Sequence, residues 1–390
     1  GKVINQRGVE ANLFGHANPR INAAIIDQLG RLEHVMLAGF TQQPVVELSE
    51  RLATLTGLGH VFYGSDGASA TEIALKMSFH YWRNIGLPQK TRFASLSNGY
   101  HGETMGALGV TDVALFKDVY APLLHNSIQL PSPDWRLAAA GETAADYALR
   151  CAAAAEAVFV QQANAIAAVI VEPLVQGAAG MAMYHPLYLS ELRRLCQQYQ
   201  IHLIADEIAV GFGRTGSMFA CEQAAIQPDF MCLSKGITGG YLPLSAVMTT
   251  EKVYAAFYDD SVARGFLHSH SYTGNALACR AALAVLDIFA DDAVIAGNRE
   301  QTTRISKALE PVTQHASVRN FRNCGMIWAF EVDTQQTDFA NRCFQLALQN
   351  GVLLRPIGNT VYLMPPYILD QQQIHLLAQT TLTIVDQLGD

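Results

Sequence analysis

Short apolar runs alternate with longer segments of helical periodicity through most of the chain. Runs of this kind are typical of strands that are buried on both faces of a sheet. They occupy residues 61–63, 92–96, 166–174, 201–208, 230–233 and 244–249. Apolar residues at helical spacing occupy residues 68–83, 187–199 and 275–289. This alternation predicts an α/β fold with a mostly parallel sheet that helices cover on both faces.

The pattern changes after about residue 290. Residues 326–332 alternate between apolar and polar positions like a half-exposed strand, and residues 352–355 and 361–364 resemble two short strands. Helical periodicity returns at residues 338–350 and 371–388. We therefore predict a large domain over residues 40–290. A smaller α+β domain combines residues 1–39 with residues 291–390.

Composition favours a large buried core. Of the 390 residues, 50% are hydrophobic and 15% are charged, which argues against a disordered chain. Low charge is also typical of a surface partly buried in an oligomer, although a large core alone explains it. A net charge of −8 argues against a nucleic-acid partner. We expect no membrane-spanning segment and no signal peptide, because no apolar run is long enough.

The cysteines give no sign of a metal site or a disulfide framework. All seven are scattered along the chain without the spacing of a zinc site. We therefore expect reduced thiols, no metal, and a cytoplasmic protein.

Two ionisable residues stand at the ends of apolar runs. Lys235 precedes a glycine-rich turn, and Asp206 begins an acid pair with Glu207. A lysine that forms a Schiff base and a carboxylate that keeps a pyridine nitrogen protonated are what pyridoxal phosphate chemistry needs. A buried acid also needs a cationic partner, for which a pyridinium and Arg214 are the alternatives.

Two turns that follow predicted strands are candidate cofactor contacts. Gly67 and Ala68 lie where a strand leads into a helix, so their backbone could hold a phosphate or form an ordinary turn. Tyr100 lies between glycines and could stack on a planar cofactor or be structural. We assign no role to His101.

Two further segments are candidate anion sites. Residues 268–275 are polar and open a helix, which suits a second phosphate contact, and His268 and His270 could alternatively bind a metal. Arg355 lies within an apolar stretch and keeps its charge, so it needs an anion. A substrate carboxylate and a structural ion pair are the alternatives.

Six segments together resemble the class III aminotransferases, which are fold-type I pyridoxal phosphate enzymes. The segments are residues 98–104 (NGYHGET), 171–181 (VEPLVQGAAGM), 183–186 (MYHP), 205–216 (ADEIAVGFGRTG), 235–244 (KGITGGYLPL) and 362–367 (YLMPPY). The resemblance runs from about residue 15 to the C-terminus. It implies a large domain with a mostly parallel seven-stranded sheet and a small α+β domain.

Within that class the last two segments look most like the enzymes of biotin biosynthesis. The resemblance implies transfer of an amino group to 8-amino-7-oxononanoate, giving 7,8-diaminononanoate, with S-adenosylmethionine as the expected donor. An ω-aminotransferase acting on ornithine, GABA, a β-amino acid or an amine is the alternative, and a fold-type I aminomutase or decarboxylase is a more distant one.

The resemblance also implies a role for individual residues. Lys235 would bind the cofactor and shuttle a proton, and Asp206 would pair with the pyridinium. Gly67 and Ala68 would hold the phosphate, although the class usually has serine at the second position. The remaining matches are substrate-side contacts at Tyr100, Ser269 and Arg355, with Arg214 as a further candidate.

Two further features of the resemblance concern the contact between subunits and the N-terminal segment. His270 and Ser271 match positions that reach the cofactor phosphate of a neighbouring subunit, which implies a homodimer with active sites at its interface. The class usually has proline and threonine there, so Ser271 keeps the hydroxyl. The class also carries a tryptophan pair before the segment at Gly15, whereas residues 1–14 contain no tryptophan.

Overall fold

The computed structural model of the protein describes residues 11–389. Residues 1–10, which belong to the predicted small domain and to the segment without tryptophan, lie outside the described residues. Within the described residues, no helix is both long enough and apolar enough to cross a membrane.

The strands of the described residues form three sheets. They are β1 (His60–Gly64), β2 (Arg92–Leu96), β3 (Ile128–Leu130), β4 (Ile166–Val171), β5 (Val175–Gln176), β6 (Ala182–Met183), β7 (His202–Asp206), β8 (Phe230–Leu233), β9 (Ser245–Thr249), β10 (Val318–Cys324), β11 (Ile327–Val332) and β12 (Thr360–Leu363).

Helices connect and flank these strands. They are α1 (Pro19–Leu29), α2 (Gln43–Thr56), α3 (Gly67–Asn84), α4 (Met105–Val110), α5 (Ala114–Lys117), α6 (Ala144–Gln162), α7 (Leu187–Gln198), α8 (Glu251–Ala255), α9 (Ala276–Asp291), α10 (Val294–Ala308), α11 (Glu310–Thr313), α12 (Phe339–Gln349) and α13 (Gln371–Leu388).

The largest sheet has seven strands in the order β1-β9-β8-β7-β4-β2-β3. Strand β9 runs antiparallel to both of its neighbours, and the other adjacent strands pair in parallel. The predicted mostly parallel α/β sheet is therefore confirmed. The parallel strands place their carboxyl ends along one edge, where ligands bind in folds of this type.

Burial of β4 on both faces explains its unbroken apolar sequence. Val169 and Val171 pack into a core cluster with α6 and α7, whereas Ile170 packs with α3 on the opposite face. Alternate side chains of a strand point to opposite faces, so each face needs an apolar set of its own.

The C-terminal part forms a second, antiparallel sheet in the order β10-β11-β12. The predicted half-exposed strand at 326–332 is wrong in its exposure, because five of the six residues of β11 are buried. Trp328 and Phe330 pack into one core cluster, and Ile327 and Ala329 pack into another. Contact with both clusters explains the burial of this strand.

The predicted strand at residues 352–355 is absent, and the backbone there is irregular. Pro356 supplies no backbone N–H to a ladder, and the chain turns so that Ile357 pairs with Thr360. Helix α1 packs against α9, so the first residues of the described chain contact the end of the predicted large domain. The domain boundaries at residues 40 and 290 stay a prediction.

Candidate active site

A cavity of about 780 Å³ lies between the carboxyl edge of the large sheet and the antiparallel sheet. One side is formed by segments that follow β1, β2, β4, β7 and β8, and the other by residues near β11 and β12. The candidate residues that line it are Gly67, Ala68, Tyr100, Asp206, Lys235 and Arg355. The structure thus brings together six of the residues that the sequence singled out.

Lys235 begins the short helical turn Lys235–Thr238, which follows β8. Its φ of 46° lies in the left-handed region, which residues with a side chain rarely adopt. Backbone strain of this kind is held in place by surrounding contacts and is common at functional sites. The hydroxyl of Ser234 donates to the Leu244 carbonyl at 2.8 Å and fixes the residue before the lysine.

Asp206 ends β7 and is buried, with 5% of the residue exposed. Its partner is His101, whose Nδ1 donates to Asp206 Oδ2 at 2.7 Å. The other carboxylate oxygen accepts from the backbone N–H of Ile208 at 3.1 Å. Arg214, which the sequence offered as a structural partner, is therefore not the group that the structure pairs with this acid.

His101 and Glu172 are site residues that the sequence reasoning missed. His101 is buried and lines the cavity, and its Nε2 has no hydrogen-bond partner among the described residues. Glu172 lies directly after β4, although the sequence placed it inside a strand that extends to residue 174. An acid within an apolar run is the signal that could have revealed the strand end.

The carboxylate of Glu172 holds two backbone segments of the cavity. It accepts from the N–H of Tyr100 and from the N–H of Gly177, each at 2.9 Å. Burial raises the pKa of Glu172, His101 lowers it and Asp206 raises it, and together these effects bring the pKa to about 7. Glu172 therefore binds its proton near neutral pH and links the loop after β2 to the loop after β4.

The N-terminus of α3 supplies the site for an anion. Asp66 caps this 18-residue helix by accepting from the Ser69 N–H at 2.8 Å. Gly67 and Ala68 line the cavity beside it. A Cβ at Gly67 would lie 3.1 Å from Ile208, so a small residue keeps the backbone close to the cavity. Backbone N–H groups and the helix dipole favour a phosphate at such a position.

Tyr100 and Phe116 form an aromatic wall. Their ring centroids lie 5.3 Å apart, and both residues line the cavity. Tyr100 Oη donates to Glu103 Oε1 at 2.8 Å. Burial and the adjacent Glu103 carboxylate raise the pKa of Tyr100 well above its usual range, so the phenol remains a hydrogen-bond donor.

Arg355 lines the cavity from the side of the antiparallel sheet. Its Cζ lies 5.8 Å from the centroid of the Phe344 ring. No carboxylate within residues 11–389 forms a salt bridge with it. A guanidinium that lines a cavity in this way can bind an anionic ligand with two parallel hydrogen bonds.

Arg214 lies outside the cavity and joins the two parts of the fold. It is fully buried, and its Nη1 donates to the Pro365 carbonyl at 2.6 Å. Its Cζ lies 4.8 Å from the centroid of the Tyr367 ring, and its own carbonyl accepts from the Met326 N–H at 2.7 Å. The structure does not bring Arg214 to the place where a substrate could reach it.

Ser269, His270 and Ser271 also lie outside this cavity, on the segment that precedes α9. Both serines are exposed and His270 is half-buried. His268 lies between Lys76 and His270, with nitrogen–nitrogen distances of 2.7 Å and 2.9 Å. The expected contact of this segment with a neighbouring subunit stays a prediction.

The residues of the cavity fit pyridoxal phosphate. A buried carboxylate held by a histidine, a lysine on the neighbouring strand end and a helix N-terminus are the groups that its ring nitrogen, aldehyde and phosphate require. These groups line one cavity together.

Comparison with known proteins identifies the family. The model of the aminotransferase class-III family matches residues 7–385. The adenosylmethionine-8-amino-7-oxononanoate aminotransferase of Helicobacter pylori is 45% identical over 384 residues, which are 97% of this chain and 86% of that protein.

Two solved structures agree with this match. The enzyme of the same description from Methanocaldococcus jannaschii superposes with a TM-score of 0.91 at 32% identity, covering 98% of this chain and 88% of that one. An amine transaminase from an uncultivated Pseudomonas species, in its PLP-bound form, superposes with a TM-score of 0.92 at 32% identity, covering 98% of this chain and 90% of that one. The chain therefore belongs to the class III aminotransferases, which use pyridoxal phosphate.

Proposed function

We propose that this protein transfers an amino group to 8-amino-7-oxononanoate and forms 7,8-diaminononanoate for biotin biosynthesis. S-adenosylmethionine is the proposed donor. The observation that carries the proposal is that Arg355 shares one cavity with Lys235 and Asp206. A guanidinium at one end of the cavity suits the carboxylate of the acceptor. Relatives with 34–45% identity that are described as this enzyme support the choice of substrate.

The lining of the cavity also suits the acceptor's aliphatic chain. Val175, Met181, Ile327 and Met364 place apolar side chains along the walls. A volume of about 780 Å³ is within the range that holds a small ligand together with a cofactor. The acceptor can therefore bury its chain while its charged end binds Arg355.

The cofactor, when bound, withdraws electrons from the carbon that carries the amine. Asp206 would keep the cofactor's ring nitrogen protonated, and His101 fixes this carboxylate through the 2.7 Å hydrogen bond. Gly67 and Ala68 would hold the phosphate at the start of α3. Lys235 Nζ would take a proton from the amine-bearing carbon of the donor and return a proton to the acceptor carbon.

Tyr100 would form part of the substrate side of the site. Its phenol is fixed by Glu103 at 2.8 Å, and its ring packs against Phe116. Two rigid aromatic rings exclude water from one side of the cavity, which strengthens the electrostatic interactions inside it. The carboxylate of Glu172 holds the backbone of Tyr100 in this position.

A homodimer and a cytoplasmic location are parts of the same proposal. Val119, Leu123, Leu267 and Tyr272 are more than 60% exposed, although they are large and apolar. A second copy of the chain would cover such a surface. It would also bring Ser269, His270 and Ser271 to the phosphate of the partner's cofactor. All seven cysteines are free, which fits a reducing compartment.

The test is a pair of half-reactions. Each amino donor is mixed with the enzyme and the cofactor absorbance is followed, with S-adenosylmethionine compared with lysine, ornithine, GABA, a β-amino acid and a simple amine. The amine form of the enzyme is then mixed with 8-amino-7-oxononanoate. Rapid return of the starting spectrum supports the proposal. A slow return with this acceptor, together with a fast return with another ketone or aldehyde, would overturn it.

Another ω-aminotransferase is the second candidate function. The observation in its favour is the match to the amine transaminase, whose TM-score of 0.92 slightly exceeds the 0.91 of the biotin-pathway relative. An amine transaminase would accept ketones without a carboxylate as readily as those with one. The acceptor panel therefore separates the two candidates.

A further inference from the structure

The strands β5 and β6 form a hairpin, and residues 177–181 at its tip form one wall of the cavity. Gly177, Ala178 and Met181 line the cavity there. Met181 has a φ of 53°, which is unfavourable for a residue with a side chain. The hairpin tip therefore needs contacts from outside to hold its conformation.

Two arginines provide these contacts. Arg322 Nε donates to the Met181 carbonyl at 2.9 Å, and its Nη2 donates to the Gly180 carbonyl at 2.5 Å. Arg136 Nη2 donates to the Ala179 carbonyl at 3.3 Å. Three consecutive carbonyls of the hairpin tip thus accept hydrogen bonds from guanidinium groups.

Glu331 of β11 holds both arginines in place. Its Oε1 lies 2.7 Å from Arg136 Nη1 and 2.8 Å from Arg322 Nη2, and 15% of its side chain is exposed. Asp134 completes the cluster at 2.7 Å from Arg136 Nη2. The side chain of Arg322 is only 2% exposed, so it needs a neighbouring anion. Two cations and two anions balance one another in this cluster.

The hairpin tip also contacts the turn that carries Arg355. A Cβ at Gly180 would lie 3.0 Å from Thr360 Oγ1, so the two segments are closely packed. Thr360 and Ile357 exchange two backbone hydrogen bonds of 2.9 Å. Ile357 and Arg355 both line the cavity. Displacement of the hairpin tip would therefore be transmitted to Arg355.

We propose that Glu331 is a positioning residue for the amino acceptor. It acts through Arg136 and Arg322 on the hairpin tip and, through Thr360, on the segment that carries Arg355. The inference rests on the proposed function, because it takes Arg355 as the site of the acceptor carboxylate. Glu331 does not line the cavity, so it affects binding through the shape of the wall.

The test compares Glu331→Gln with Glu142→Gln in the holoenzyme. Glu142 is a matched control because its side chain is also 15% exposed and also bonds an arginine, Arg150, at 2.8 Å, but it does not line the cavity. Glu331→Gln should raise the KM for the acceptor about tenfold, the order expected for loss of a charged hydrogen bond, and change the donor half-reaction less than about twofold. The control variant should leave both unchanged.

Hydrogen–deuterium exchange supplies a readout that is independent of activity. In Glu331→Gln the amides of residues 177–183 should exchange about tenfold faster or more, whereas those of Glu142→Gln should match the unaltered protein. Arg136→Lys is a second variant, because lysine keeps the charge but cannot reach Glu331 and the Ala179 carbonyl together. It should shift the KM and the exchange in the same direction.

The outcomes separate this inference from the proposed function. If the unaltered enzyme does not aminate 8-amino-7-oxononanoate, the proposed function fails. If it does, and Glu331→Gln and Arg136→Lys leave the acceptor KM and the exchange of residues 177–183 unchanged, the positioning role is refuted. An equal loss in the donor half-reaction and in acceptor binding would also refute it, because that result indicates a general structural role.

Discussion

Replacement of Arg355 by alanine tests how the cavity holds the acceptor. Arg355 lines the cavity and packs near the Phe344 ring, with 5.8 Å between its Cζ and the ring centroid. Salt bridges to it are absent within residues 11–389, so its removal leaves no buried carboxylate of this part of the chain unpaired. The change therefore acts on ligand binding more than on the free energy of unfolding.

The size of the effect follows from the lost contact. A hydrogen bond to a charged group contributes about 1.5–3 kcal/mol, and a cavity that is partly open to solvent favours the lower part of that range. A loss of about 2 kcal/mol corresponds to an increase of about 30-fold in the KM for 8-amino-7-oxononanoate. Arg355→Lys keeps the charge without the two parallel donors, so an increase of about fivefold is expected.

The assay is a thermodynamic cycle in which the acceptor and its methyl ester are each bound to the unaltered enzyme and to Arg355→Ala. The ester should bind the unaltered enzyme about 30-fold more weakly than the acid, because it lacks the charge that Arg355 recognises. In Arg355→Ala the acid and the ester should bind about equally, since the contact is already lost. If the two changes instead add, so that the variant still prefers the acid about 30-fold, Arg355 does not bind the carboxylate.

Three other changes have defined expected results. Lys235→Ala should abolish turnover and the absorbance band of the lysine-bound cofactor, and a variant with normal turnover would overturn the assignment. His101→Gln removes the 2.7 Å bond to Asp206, so kcat should fall about tenfold or more while KM changes little, and an unchanged kcat would contradict this role. The buried carboxyl of Glu172 has its pKa raised from 4.5 to about 7, so the native state binds this proton more tightly than the unfolded state. The resulting stabilisation is complete below about pH 4.5 and is lost as the pH rises through about 7, by up to about 3 kcal/mol. Chemical unfolding between about pH 5 and pH 8 should show the free energy of unfolding of the unaltered protein falling relative to that of Glu172→Gln. A difference between the two proteins that does not change with pH would refute the reasoning.

Six of the seven strands of the large sheet were predicted from their apolar runs, whereas the edge strand β3, with its exposed Gln129, was missed. Residues 230–233 coincide with β8, and 92–96 coincide with β2. Ends of strands were predicted less well: the predicted strand ran to residue 174 across Glu172 and Pro173, but β4 ends at Val171, directly before the acid. Sequence shows which residues are apolar, whereas the end of a strand depends on what the next side chain binds.

The candidate site was predictable where the cofactor's chemistry requires a particular residue type, a lysine or a carboxylate. Asp206 ends β7 and Lys235 follows β8, and because these two strands are neighbours in the sheet, both residues line the same cavity. His101 was not predictable as the partner of Asp206, because β2 and β7 are separated in the sheet by β4. The pair forms only because the loop after β2 crosses the end of β4. The positions of His101 and Asp206 in the sequence do not indicate this crossing.

Arg214 and Glu331 join the parts of the fold around the cavity in different ways. Arg214 joins the large sheet to the C-terminal part through the Pro365 and Met326 backbones, and a Cβ at Gly325 would lie 2.3 Å from the Thr215 backbone. A backbone approach this close leaves no room for adjustment. At the hairpin tip the contact is made instead by side chains, those of Arg136 and Arg322, which Glu331 holds in place. Arg214 therefore ties the backbones of the two parts together outside the cavity, whereas the wall at the hairpin tip depends on the side chain of Glu331.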